Sequence, residues 1–141
     1  MKIAIVNGPN LNLLGTREPG IYGSQTFEAF YSQLKQVFPS VELSYYQSNV
    51  EGELINQLQL FAHNWDGIVL NPGGYTHTSV AIGDCIAASS TPVIEVHISN
   101  VHAREDFRKI SHVSAVCKGS IIGLGLKGYE LAIQWLISYY K

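Results

Sequence analysis

Charge is scarce in this chain: Asp, Glu, Lys and Arg make up 14% of its 141 residues, and the formal net charge is −2. No cluster of Lys or Arg occurs along it, so the electrostatic footprint of a nucleic-acid binder is missing. Long apolar runs are missing too. None approaches the ~20 residues of a membrane-spanning helix, and the opening residues lack the pattern of a secretory signal, so a soluble cytoplasmic protein is expected. There are 2 cysteines, Cys85 and Cys117, each in apolar surroundings. Buried reduced thiols are expected there rather than a disulfide or a metal pair. His63, His102 and His112 have neither helical nor zinc-type spacing, which argues against a metal site.

What the chain has in quantity is core material. Hydrophobic residues make up 46%, and the length suits one domain that buries roughly two-thirds of its unfolded surface. The pattern alternates. Lys2–Val6, Val41–Gln47, Gly67–Leu70, Pro92–His97 and Gly119–Leu124 read as strands. Between the first two, Thr26 is placed to cap a helix carrying Phe27, Phe30, Tyr31, Leu34 and Phe38 on one face. Ser48 and Glu51 have the spacing of a capping box ahead of Leu54, Ile55, Leu58, Phe61, Ala62 and Trp65. Further helices are expected at about 78–89, briefly at 103–109, and from Tyr129 to Tyr140. Such β–α alternation predicts a doubly wound parallel sheet in a three-layer α/β sandwich.

Sheets of this kind bind ligands at the carboxyl ends of their strands. The unusual polar residues gather there: Asn7 and Asn10 after the first strand, Gln47 to Asn49 after the second, Asn71 after the third, His97 at the end of the fourth. His97 reads either as a satisfied core histidine or as a general acid or base. Glu95, two residues back on the same strand face, is placed to orient its imidazole. His77 reads as a helix cap or a ligand contact. Asp84 is an ordinary surface charge or a partner reaching into a site across an interface. Arg104 and Arg108, four residues apart, are solvated cations unless the His97 strand exit brings them to the site.

Asn71-Pro-Gly-Gly-Tyr-Thr76 offers backbone amides ahead of a helix, a way to hold an anion or a hydroxyl-rich ligand. Gly123-Leu-Gly-Leu-Lys-Gly128 matches the dinucleotide pattern, but no strand follows to carry the acidic ribose partner, so a tight strand-to-helix turn is expected instead. A phosphorelay receiver would need an aspartate where Asn71 stands. An FMN carrier would need a Ser/Thr-rich loop where Pro9, Leu11, Leu13 and Leu14 stand.

The segment from Asn7 to Gly23 carries the sharpest chemistry. Arg17 precedes Tyr22 on a stretch punctuated by Gly15, Pro19, Gly20 and Gly23, so a mobile loop over about 15–24 is expected. A cation beside a phenol favours the phenolate, which turns a group of pKa about 10 into a usable base.

Taken together, these blocks resemble type II 3-dehydroquinate dehydratase (type II dehydroquinase) over essentially the whole chain. The matching segments are Asn7-Gly-Pro-Asn-Leu-Asn12, Gly15-Thr-Arg-Glu-Pro19 with Tyr22-Gly23, Gln47-Ser-Asn49 with Glu51-Gly52, Asn71-Pro-Gly73 with Thr76-His-Thr-Ser-Val-Ala81 and Asp84, and Glu95-Val-His-Ile-Ser-Asn100 with His102, Arg104, Phe107 and Arg108. The chain departs from the family pattern at Val50, usually histidine, and at Gly83, where arginine commonly precedes the aspartate.

The resemblance implies a flavodoxin-like three-layer sandwich with a five-stranded parallel sheet. It also implies reversible anti dehydration of 3-dehydroquinate to 3-dehydroshikimate through an enolate, with neither metal nor organic cofactor. It implies that Tyr22 removes the proton beside the ketone, that Arg17 holds Tyr22 as phenolate, and that His97, backed by Glu95, protonates the departing hydroxyl. Asn10 would order a water on the enolate oxygen. Asn71, His77 and Arg108 would bind ring hydroxyls, and the backbone amides of Ile98 and Ser99 the carboxylate. Asp84 would come from a neighbouring subunit of a dodecamer built from trimers.

Overall fold

Ile3–Val6 and Ile68–Leu70 are apolar without interruption because both faces of their strands are covered, as a parallel sheet requires. The computed structural model describes residues 1–16, 20 and 24–141. Its five strands, β1 (Lys2–Asn7), β2 (Glu42–Gln47), β3 (Gly67–Asn71), β4 (Val93–His97) and β5 (Gly119–Ile122), run parallel in the order β2-β1-β3-β4-β5. Alternate side chains of β1 enter different cores. Ile3 and Ile5 pack with α1 (Phe27–Val37) and α4 (Lys127–Tyr139) through Phe27, Phe30, Leu34, Ala132 and Leu136. Ala4 and Val6 pack with α2 (Glu51–Asn64) and α3 (Val80–Ala87) through Leu54, Leu58, Phe61 and Ile82. This is the three-layer, flavodoxin-like arrangement expected. No helix among the described residues is long and apolar enough to cross a membrane.

Local details bear out some expectations and correct others. The Thr26 hydroxyl accepts the Ala29 N–H at 3.3 Å and caps α1. The Ser48–Glu51 capping box does not form: α2 starts at Glu51 with Val50 at its cap, two positions beyond Ser48. Ser48 instead accepts the Val50 N–H at 2.9 Å and donates to Glu53, a local serine turn. Glu51 accepts the hydroxyl hydrogen of Ser79, whose oxygen caps α3 by accepting the Ile82 N–H at 3.0 Å.

Helix α3 is shorter than the expected 78–89 because Ser79 caps its start and Ala88 its end; Gly73–His77 winds as a 3-10 turn ahead of it. The expected helix at 103–109 is two 3-10 turns, Val101–Ala103 and Asp106–Lys109. β5 stops at Ile122 because Gly123 and Gly125 take φ of +83° and +60°, the left-handed turn that feeds α4. The thiols of Cys85 and Cys117 are unpaired but half-buried, not fully buried. Burial, reinforced by the Glu95 charge, pushes the Cys117 thiol up to about 12, which leaves it an unreactive packing group.

Candidate active site

The chain runs outward in opposite directions from β1 and β3, and the crevice between the carboxyl ends of those two strands is where a doubly wound sheet receives ligand. Their exits are in close contact. The Gly8 N–H donates to the Asn71 carbonyl at 2.8 Å, and a Cβ on Gly8 would lie 2.4 Å from the Pro72 carbonyl oxygen. Beside them opens a cavity of about 140 Å³, close to the ~150 Å³ that accepts a benzene ring elsewhere. Leu11, Leu13, Leu14 and Val101 form its apolar wall; Asn10, Asn71, His77, His97, Ser99, Arg104 and Arg108 supply polar groups. Two guanidinium groups, amides and imidazoles around a ring-sized space suit an anionic, hydroxyl-bearing ring.

His97 ends β4 at this cavity. Its Nε2 lies 2.7 Å from Glu95 Oε1, on the same strand face. Glu95 is fully buried and collects donors on both oxygens. Thr76 joins His97 on Oε1, with Ser111 at 3.3 Å; Ser114 and Ser120 donate to Oε2, Ser120 at 3.0 Å. Burial alone would raise this carboxyl, but the bond and charge of His97 and the hydroxyls of Ser114 and Thr76 outweigh it and hold Glu95 down at about 2. An ionised carboxylate only accepts, so Nε2 carries a hydrogen and Nδ1 is the nitrogen not bonded to Glu95. A proton on Nδ1 would make the ring a cation, and the carboxylate behind it stabilises that charge.

Asn10 sits at φ 69°, ψ −4°, a left-handed conformation that asparagine tolerates better than other side chains with a Cβ. Its N–H donates to Asn49 Oδ1 at 3.0 Å, and Gln47 Nε2 donates to Gly8 O at 3.2 Å and Asn49 Oδ1 at 3.1 Å. The end of β2 thus holds the loop after β1. His77 Nδ1 lies 2.7 Å from the Ile110 carbonyl. A carbonyl only accepts, so Nδ1 bears the hydrogen. Burial lowers the His77 pKa against the bond to Ile110, with His97 and Arg108 also lowering it; this favours the neutral ring, in which Nε2 is an acceptor. His77 lies nearly parallel to His97, ring centres 6.4 Å apart, with Phe107 edge-on at 5.8 Å. Arg108 Nε donates to Glu105 Oε2 at 2.6 Å, and Arg104 Nη1 to Ser99 Oγ at 3.3 Å.

Residues 1–137 match the family model described as dehydroquinase class II. The chain belongs to this family. A 3-dehydroquinate dehydratase of Fusobacterium nucleatum is 53% identical over 147 residues, covering 100% of this chain and 99% of that protein. One from Actinobacillus pleuropneumoniae is 54% identical over 139 residues, 97% of this chain and 90% of that protein. The crystal structure of a type II dehydroquinase from Butyrivibrio crossotus superposes with a TM-score of 0.94 at 50% identity, over 97% of each chain.

Of the site residues expected for a class II dehydroquinase, Asn10, Asn71, His77, His97, Ile98, Ser99 and Arg108 line one cavity, and Glu95 lies directly behind His97. Arg17 and Tyr22 lie outside the described residues, as does most of the expected mobile loop. Asp84 is exposed on α3 and is absent from the cavity lining. Beside it a Cβ on Gly83 would meet the His112 carbonyl oxygen at 2.5 Å, so a larger residue there requires that backbone to move. Arg104, left open between solvent and site by the sequence, lines the cavity. The hydroxyls around Glu95 had no periodic signal; their serines and threonine stand 16 to 25 residues away from it.

Proposed function

We propose that this chain catalyses the reversible anti dehydration of 3-dehydroquinate to 3-dehydroshikimate and water through an enolate. The observation that carries the reading is the Glu95-backed His97 at the wall of a ring-sized cavity bearing two arginines, in a chain of this family. The substrate is a hydroxylated ring bearing a carboxylate, the chemistry that those cavity groups recognise.

The base takes the proton beside the ketone, leaving an enolate. The C–O bond to the departing hydroxyl then breaks as His97 gives it the Nδ1 proton, and water leaves. We assign the base to Tyr22 and its activation to Arg17. Bringing a phenol from about 10 to near 8 takes roughly 2.7 kcal/mol, within reach of a close cation in a site that excludes water. Among the described tyrosines, Tyr129 is unsuited to that role: burial pushes its phenol far up and its hydroxyl is committed to Asn7. Asn10 would order water on the enolate oxygen. Asn71, neutral His77 and Arg108 would hold ring hydroxyls, and the Ile98 and Ser99 amides the carboxylate. Asp84, exposed and away from its own cavity, fits a contribution to a neighbour's site within a dodecamer of trimers. The chemistry is assigned to side chains without metal or cofactor. Unpaired half-buried thiols fit a reducing cytoplasm.

The test is absorbance at the conjugated-enone band after adding 3-dehydroquinate to the purified protein. A rise that saturates with substrate is the expected result; a flat trace overturns the reading.

A further inference from the structure

We propose that Tyr129 is a positioning residue for catalysis, setting the orientation of the Asn71 amide that faces substrate. The proposal rests on reading the cavity as the substrate site. Tyr129 enters from the side of the sheet opposite α3. Gly128, where a Cβ would stand only 3.2 Å from Val96 Cγ1, lets the start of α4 lie close against β4 and β5. Tyr129 is fully buried, its ring edge-on to Phe27 and Phe30 at 5.1 and 5.9 Å, with its hydroxyl under the carboxyl ends of β1 and β3.

There the hydrogen bonds leave one consistent arrangement. Asn71 Oδ1 accepts the Gly73 N–H at 3.1 Å, so Asn71 must turn its Nδ2 toward Tyr129, whose oxygen lies 2.9 Å away. The phenol oxygen is then the acceptor, and its own hydrogen goes to Asn7 Oδ1 at 2.8 Å. The file Gly73–Asn71–Tyr129–Asn7 therefore runs one way, with Gly73 holding Asn71 by its Oδ1 and Tyr129 holding it by its Nδ2. Asn71 Nδ2 has two hydrogens and Tyr129 takes one; the other is available to the cavity that Asn71 lines. Asn7 is fully buried, so it has no water to replace a lost partner. Without the phenol hydroxyl, Asn71 loses the contact that holds its Nδ2 in place. Without Asn7, the phenol hydrogen loses its acceptor; Asn71 Oδ1 can take it only by flipping the amide, which removes the donor from the substrate side.

The experiment is steady-state dehydration by wild type, Tyr129→Phe, Asn71→Ala and the double variant. A merely structural role lowers the folded fraction, which lowers kcat per mole and leaves KM unchanged. A positioning role raises KM. We expect Tyr129→Phe to raise KM about tenfold or more with kcat within about threefold. In the Asn71→Ala background the same change should leave KM where Asn71→Ala put it, because the two act as one unit. Asn7→Ala, which leaves the Tyr129 ring in place, should raise KM in the same direction and serves if Tyr129→Phe does not fold. An unchanged KM in whichever of Tyr129→Phe and Asn7→Ala folds, or KM effects that multiply independently in the double variant, overturns the proposal. A wild-type protein that forms no enone overturns the function itself, and this proposal with it.

Discussion

His97 donates its Nε2–H to Oε1 of the fully buried Glu95 across 2.7 Å, from two positions further along the same strand. The pair is therefore held on one strand of the sheet, with Nδ1 as the ring nitrogen not bonded to Glu95. On the proposed reading, a strand-borne acid would keep its place while a base on another segment acts from the opposite side of the substrate ring, as anti elimination needs.

His97→Ala should impair departure of hydroxide more than removal of the proton. Exchange of the substrate hydrogen beside the ketone with solvent deuterium, followed by NMR, separates the two steps. The expected result is a dehydration rate down by at least ~10²-fold with exchange reduced less. Equal loss of both, in a protein whose wild type shows exchange, would mean that His97 is not the acid.

Glu95 makes the fold sensitive to acid. Its carboxyl is held at about 2 against 4.5 for a free glutamate. The stabilisation is fully present above about 4.5 and is lost as pH falls through about 2; it amounts to roughly 3 kcal/mol at about 1.4 kcal/mol per unit. Urea unfolding of wild type and Glu95→Gln at pH 6, 4 and 3 measures it. Wild type should lose stability more steeply with acid than the variant, and parallel curves would show that the carboxylate is not held down in the fold.

Tyr22→Phe should abolish turnover while leaving the fold and product affinity largely intact, since only a hydroxyl is removed. Loss of a general base predicts at least a ~10²-fold fall in kcat. Arg17→Ala should lower kcat and move the activity onset to higher pH, because the phenol loses its cation; lysine should recover little where the guanidinium fork also sets geometry. More than about a tenth of wild-type kcat in Tyr22→Phe would end its assignment as the base.

Asp84 can serve a site only through association, since it is exposed on α3 and does not line its own cavity. Light scattering should give a mass near twelve chains, falling to trimers as the contacts between trimers weaken. An active protein that stays monomeric at assay concentration would show that each chain is complete by itself.

Much of this was legible along the chain. Strand and helix alternation, the Thr26 cap and the Glu95–His97 pair all depend on neighbours within four residues, where backbone period alone decides which side chains share a face. The clustering of Asn10, Asn71 and His97 followed from topology, because a parallel sheet brings every strand's carboxyl end to one edge.

The misread details involve competition between partners far apart in sequence. Ser48 and Glu51 have capping-box spacing, yet Ser79, 28 residues on, takes Glu51. Whether Arg104 faces solvent or substrate depended on two 3-10 turns that break the expected helix after β4. The hydroxyls that keep Glu95 ionised come from four separate residues, and Tyr129 reaches Asn71 and Asn7 across 58 and 122 residues. No local period encodes such meetings. A buried polar atom takes whichever donor the packed layers deliver to it, and only the packing of α4 against the sheet decided that Tyr129 would be that donor for Asn7.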